Sequence, residues 1–276
     1  MDASPVLRSP VTPPSWAELA RLAASHDLCE RAFASGELRI RYARATDAGQ
    51  RAHASSLYAA LRARSLQVQA GLRSEIASGA LHGAALRARI EACATDVRDH
   101  FVEELLDIAY PALEPPDDAH WSHELVPYAP SGVGEILHAL DAVKLGPGDT
   151  LVDLGAGLGK VVLLASLLTG ARGHGVELDA RLVAHAQASA ASLRLPSDRV
   201  RFVNGDAREV DLDVGGIFYM YVPFTGSVLG EVMMRLAHIA SRRRIVICAH
   251  ALDTQRFSWL KNRNTPRFWL DVYEST

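Results

Sequence analysis

The sequence predicts an α/β fold, a mostly parallel sheet with helices on both faces, preceded by an all-helical N-terminal region. Three observations predict it. Short apolar runs at 151–154, 173–177, 200–203, 216–221 and 244–249 alternate with helix-like segments, the pattern of strands joined by crossover helices. The first 110 residues instead carry apolar side chains at three- and four-residue steps, as at Leu86, Ile90, Val97, Phe101, Leu105 and Ile108, which places them on one helical stripe. Between the two lies a segment, 111–131, broken by Pro111, Pro115, Pro116, Pro127 and Pro130, and proline in such density stops a helix.

Taken in order, residues 1–14 are rich in proline and serine and read as a flexible tail. Ser15 and Glu18 then form a capping box that opens a helix reaching about His26. A second helical run extends from Thr46–Asp47 to about Ser78, and a third from Leu81 to Ala109. This helical region, 15–110, is open to three roles: a lid, a cap on the core, or a homodimer surface. Residues 111–131 form the connector, and 132–276 the α/β domain, which starts with a helix at 132–143. The final run Arg267–Tyr273 reads as a closing strand.

Composition narrows the function classes. With 49% hydrophobic residues in 276 and a net charge of −3, the chain can bury a core and is not predominantly disordered. Its 29 basic residues face 32 acidic ones, which disfavours a nucleic-acid partner held by a broad basic surface. Only Lys144, Lys160 and Lys261 are lysines, leaving 29 − 3 = 26 arginines, a bias with no functional reading. Cys29, Cys93 and Cys248 lie far apart, so a disulfide framework is not expected and a cytoplasmic location is. No apolar leader is evident at the start, and the uncharged stretch 214–230 is interrupted by Gly215, Gly216, Pro223 and Gly226. No membrane association is expected.

The chemistry is concentrated at TLVDLGAGLGKVVLLAS, residues 150–166. An apolar strand ends at Asp153, a turn follows with Gly155, Gly157 and Gly159, and a helix starts near Lys160. Glycines there let a ligand approach the backbone, and the helix N-terminus offers free N–H groups. A phosphate loop needs GxxxxGK and a hydroxyl, but GAGLGK is one residue short and Val161 follows. A dinucleotide fingerprint needs a third glycine where Lys160 stands. An acidic residue two positions before GxGxG remains. Glu177 follows 177 − 155 = 22 residues after the first loop glycine, at the end of the second strand, where an acid can accept hydrogen bonds from ribose hydroxyls. Asp206, in Asn204-Gly205-Asp206-Ala207, ends the third strand.

This arrangement resembles motif I and its successors in the class I S-adenosylmethionine (SAM) methyltransferases. DLGAGLGKVVL, with the Gly-Val-Glu of 175–177, is similar to the core of Dot1-like methyltransferases, and Tyr128-Ala-Pro-Ser131 to the segment before motif I there and in related lysine methyltransferases. The likeness runs from about 124 to 250. It implies a Rossmann-like seven-stranded sheet and SAM as cofactor. It also implies that Gly155, Gly157 and Gly159 surround the methionine part, Glu177 meets the ribose and Asp206 the adenine, with Asp153, Ala156, Leu178 and Ala207 among the cofactor-binding residues. Tyr128 and Ser131 would close the pocket.

The fourth strand departs from the resemblance. Ile217-Phe-Tyr-Met-Tyr-Val-Pro-Phe224 stands where many N-methyltransferases carry Asn, Asp or Ser before Pro-Pro-Tyr/Phe, and the matching residue is Tyr221. Tyr221 and Tyr219 are the candidate catalytic residues, against ordinary strand packing. Tyr128, Tyr221, Pro223 and Phe224 are the expected acceptor wall. His120, His123 and Glu124 lack the spacing of a metal site, so no metal is expected, and Arg242–Arg244 suits a helix C-terminus. The expected function is in-line methyl transfer from SAM to an amine on a protein or peptide. A small-molecule O- or N-methyltransferase is the alternative, with a nicotinamide oxidoreductase and a non-catalytic SAM-binding module further off.

Overall fold

The computed structural model describes residues 13–108, 124–125, 129–221, 223–250, 252, 256–263 and 270–276. The chain divides into two compact units, one up to Val68 and one from Gln69 onward. The division falls inside a helix rather than at the proline-rich connector, so the later helices of the N-terminal stretch belong with the sheet.

The first unit contains α1 (Trp16–Ala23), α2 (Leu28–Arg44) and the start of α3 (Ala48–Ala77). Ser15 caps α1 through Glu18 N–H, as the capping box predicts. Leu19, Leu22, Ala34, Leu38 and Leu61 form its buried cluster. The sequence reading left α2 without an element of its own. Its start was nevertheless written as Asp27–Glu30, where the Asp27 carboxylate accepts from Glu30 N–H at 2.9 Å.

The second unit contains α4 (Gly83–Glu91), α5 (Arg98–Leu106), α6 (Val133–Val143), β1 (Thr150–Leu154), α7 (Lys160–Thr169), β2 (Arg172–Glu177), α8 (Ala180–Ser192), β3 (Val200–Asn204), β4 (Ile217–Met220), α9 (Gly226–Ala240), β5 (Val246–His250), β6 (Leu260–Asn262) and β7 (Leu270–Ser275). The single helix expected over 81–109 is two. Thr95 and Asp96 favour turns over helix interiors, and the Arg98 guanidinium donates to the carbonyls of Glu91 and Cys93 that α4 leaves open.

The sheet has seven strands in the order β3-β2-β1-β4-β5-β7-β6. The first five run parallel, and β7 and β6 add antiparallel pairs. This is the Rossmann-like seven-stranded architecture that the sequence implied. The closing strand is described over Leu270–Ser275 and so runs two residues past the expected Tyr273; the expected start at Arg267 lies outside the described residues, with all of 264–269.

One sheet face presents Val152, Leu154, Phe218, Met220 and Ile247 to Val232, Met233, Leu236 and Ile239 of α9. Asp153, Tyr219 and Cys248 alternate to the opposite face and are register neighbours on β1, β4 and β5. Val162 of α7 packs there so closely that a side chain at Gly173 would collide with it. Every residue of α7 from Lys160 to Leu167 is buried, because α4 and α5 cover its outer side. The carboxyl ends of β1, β2, β3 and β4 therefore open into one crevice, the place where ligands bind in open parallel sheets.

Candidate functional site

The turn between β1 and α7 is built by backbone geometry. Gly155, Gly157 and Gly159 have φ of 80°, 53° and 83°, the left-handed region that side chains disfavour. Gly155 N–H and Ala156 N–H both donate to the Val176 carbonyl, at 2.9 and 3.0 Å. A Cβ at Gly155 would collide with Pro223, and one at Gly159 would lie 2.5 Å from the Phe202 ring. The loop thus threads between the turn after β4 and the side of β3, with room for main chain only.

Glu177, at the end of β2, closes on this loop. Its carboxylate accepts from Gly157 N–H at 2.8 Å and from Asp179 N–H at 2.9 Å. Burial raises its pKa, and these amide bonds oppose the rise. Asp153 is 3% exposed; burial first, then the charge of Glu177, pushes its carboxyl up to about 8. Asp206 differs: it binds the Arg208 guanidinium (2.7 Å) and Arg208 N–H (2.8 Å), and Arg208 holds its pKa low.

These groups surround a cleft of about 980 Å³, its open mouth included. Of the residues expected from sequence, Ser131, Asp153, Gly155, Ala156, Glu177, Leu178, Asp206, Ala207, Tyr221, Pro223 and Phe224 line it. Gly157 and Gly159 shape the loop without facing the cleft. Tyr128 lies outside the described residues, as do His120 and His123. Among the described residues lining the cleft, the acidic and basic groups are three carboxylates and Lys160.

Lys160 is itself spoken for. The residue is 3% exposed, and its Nζ donates to Asp99 at 2.6 Å and to Glu103 at 3.2 Å, both on α5. The same Asp99 oxygen accepts from Val133 N–H at 2.8 Å and so caps α6. Sequence reasoning used Lys160 only to exclude cofactors; here it ties α5, α6 and α7 together beside the cleft.

The two tyrosines of β4 separate. Both point to the face under α6, but Tyr219 lies one pair deeper, is fully buried and does not line the cleft. Its hydroxyl has no well-formed hydrogen bond, although Ser131 is adjacent, and burial pushes its pKa well up. Tyr221 at the strand end does line the cleft, and its pKa is raised by burial and by Glu135. The contact role expected for Tyr219 thus loses its geometry, and of the two Tyr221 alone lines the cleft.

Two residues near this end escaped the sequence reading. The His250 ring lies 5.0 Å from that of Tyr221, tilted by 48°, with Nδ1 buried and unpartnered among the described residues. Its position at the carboxyl end of β5 was the available signal. Glu124, weighed before only as a metal ligand, instead reaches the start of α9. Arg242–Arg244 are engaged with Asp213 and Glu274 and form no free basic patch. No helix among the described residues is long and apolar enough to cross a membrane.

The donor set discriminates between cofactors. A dinucleotide would bring a diphosphate to the glycine loop, beside the carboxyl of Asp153, whereas SAM brings a cationic sulfonium and ammonium that a carboxylate stabilises. The glycine cradle and the carboxylate at the end of β2 fit SAM.

Residues 129–198 match the family model described as histone methylation protein DOT1, about a quarter of the chain. The match spans α6 through α8, with the glycine loop and Glu177, and stops before β3, so that Asp206 lies beyond it. No curated protein matches the chain. Among solved structures, an RNA methyltransferase from Salinibacter ruber with bound S-adenosyl-L-homocysteine (SAH) is 26% identical, over 54% of this chain and 93% of that one, with a TM-score of 0.44. A point mutant of MtNAS in complex with SAM is 16% identical over 95% and 97%, with a TM-score of 0.45. The geranyl diphosphate C-methyltransferase of Streptomyces coelicolor A3(2) is 22% identical, with a TM-score of 0.37; the alignment covers 46% of this chain and spans about half of that one, 46%. The sheet topology, the carboxylate-flanked glycine loop and the family match together identify a class I SAM-dependent methyltransferase with Dot1-like similarity in its cofactor half.

Proposed function

We propose that this methyltransferase transfers the methyl group to an amine on a protein or peptide. The observation that supports this reading is the match of residues 129–198 to the model of a histone methylation protein, DOT1. Among the described residues that line the cleft, the one cation, Lys160, is bound to Asp99 and Glu103, which leaves an anionic acceptor no charged partner.

In this reading, bound SAM supplies a methyl group activated on sulfonium. Asp153 and the backbone of Gly155 and Ala156 hold its amino-acid portion, Glu177 accepts from the ribose hydroxyls, and Asp206 with Ala207 receives the adenine. Ser131 closes the cleft from the α6 side. Tyr221, Pro223 and Phe224 wall the acceptor side with rings, exclude water and align the nitrogen. Such alignment lowers a barrier by roughly 7–11 kcal/mol at best, so no dedicated acid–base dyad is required once the amine is neutral. The three free cysteines suit a reducing, cytoplasmic setting. That same aromatic wall favours a second reading, a small apolar O- or N-acceptor.

Calorimetry with SAM, SAH and NAD, then transfer of labelled methyl from SAM to lysine-containing peptides and to a panel of small amines and phenols, tests both levels. Glu177→Gln should weaken SAH about 10–100-fold, the scale of hydrogen bonds to a charged group. NAD binding tighter than SAM would overturn the cofactor assignment. Labelling of phenols but no amine would favour the second reading.

A further inference from the structure

Helix α9 begins at the rim of the acceptor wall, and its own N-cap residue leaves its amides open. Thr225 makes no side-chain cap bond. The cap comes from about a hundred residues earlier in the chain. One oxygen of the Glu124 carboxylate accepts from Ser227 N–H (3.0 Å), Val228 N–H (3.0 Å) and the Ser227 hydroxyl (2.7 Å). Main chain adds to it: Thr225 N–H donates to the Glu124 carbonyl at 2.7 Å, and Leu125 bridges Phe224 antiparallel. Gly226, at φ 57°, gives the carboxylate its room, since a Cβ there would collide with it. Leu125, Phe224 and Val228 all line the cleft.

We propose that Glu124 is a positioning residue for the acceptor side of the cleft. By capping α9 it pins Leu125 across the turn after β4, so that Leu125 and Phe224 form one fixed wall of the cleft. An anion at a helix N-terminus is favoured by the unpaired amides and the helix dipole, and the N-cap side chain, Thr225, does not supply one here. The proposal rests on the reading of the cleft as a SAM site and adds a residue that touches neither cofactor nor acceptor.

The test uses the full-length chain with SAH as the probe. Release of SAH is followed by surface plasmon resonance well below the unfolding temperature, and amide exchange at Thr225, Ser227 and Val228 by mass spectrometry. Glu124→Ala should speed SAH release about tenfold, the scale of losing a helix cap, with faster exchange at the three amides. Glu124→Gln keeps one acceptor oxygen and should fall between. Ser227→Ala loses only the hydroxyl bond and should change release by no more than about threefold; should Glu124→Ala fail to fold, these two milder variants decide. Ser15→Ala removes the cap of α1 and serves as the control for a merely structural loss: it should lower Tm without changing SAH release. Wild-type binding with unchanged release in the Glu124 variants overturns the positioning role alone. Wild-type protein that binds no SAH overturns the cleft assignment and this proposal with it.

Discussion

Asp153→Asn offers a sharp test of the electrostatics beneath the glycine loop. The wild-type carboxyl is 3% exposed, and its pKa stands at about 8 against an ordinary 3.8. Between those values the folded protein keeps a proton that the unfolded chain has lost, so stability falls as pH rises through the window. At about 1.4 kcal/mol per tenfold change in proton affinity, the full cost is roughly 6 kcal/mol, reached only above pH 8. Asparagine preserves shape and cannot ionise. Urea unfolding at pH 5, 6, 7 and 8 should therefore show the variant gaining on the wild type at each step, by up to about 1.4 kcal/mol per pH unit. Glu177, whose pKa is also raised, contributes a slope of the same sign to both proteins and largely cancels in the difference. Parallel pH profiles for the two would refute the assignment of a buried, proton-holding carboxyl at 153. A SAM cation would favour the ionised form, so bound SAM should lessen the difference.

Two further outcomes follow from buried polar groups. Tyr219→Phe removes a hydroxyl buried without a well-formed hydrogen bond and should leave stability unchanged or raise it by about 1 kcal/mol, with SAH affinity intact; a loss beyond about 1 kcal/mol in urea unfolding would reveal a partner for that oxygen. Lys160→Met should destabilise by roughly 1–3 kcal/mol, less than a fully buried pair would cost, because the Asp99 side chain is 47% exposed and can rehydrate; a neutral thermal shift would mean that the contacts to Asp99 and Glu103 contribute nothing.

The legible part of the fold was the part whose geometry is local. Asp153, the glycines and Lys160 occupy one strand, one turn and one helix start. A turn that must run main chain past Pro223 and Phe202 can be written only with glycine, so the constraint surfaces as a motif. Glu177 and Asp206 follow at the ends of the next two strands, where parallel topology dictates that ligands meet side chains. Helix α2 and the break between α4 and α5 were missed because Asp27, Thr95 and Asp96 act through single capping or turn preferences that weigh little beside apolar periodicity. One signal went unread. KVVLLASLL, residues 160–168, is apolar on all sides after its lysine, and such a helix must be covered all round. That alone implied that helices from the N-terminal stretch pack over α7, as α4 and α5 do.

The end of the cleft proposed for the acceptor hides for the opposite reason. It is assembled from Leu125, Ser131, Tyr221, Phe224 and, beside Tyr221, His250, drawn from separate stretches of chain. None needs a special backbone conformation that its neighbours would betray. Glu124 is the clearest case: in sequence it sits between His123 and Leu125 and looks like half of a metal site, while its partners are the amides of Ser227 and Val228, 103 and 104 positions later. The single local trace of that contact is Gly226, whose missing Cβ leaves the space that the carboxylate fills. A glycine just after Pro-Phe-Thr, at the first position of an apolar helix where propensity disfavours it, is a question that the sequence poses without answering. The family match ends at residue 198, before that question is reached. The glycine loop and Glu177, built by local rules, fall inside the match, whereas Asp206 and the wall of Tyr221, Pro223 and Phe224 lie beyond it, and at that wall a residue such as Glu124 is recognised only by what lies across the fold.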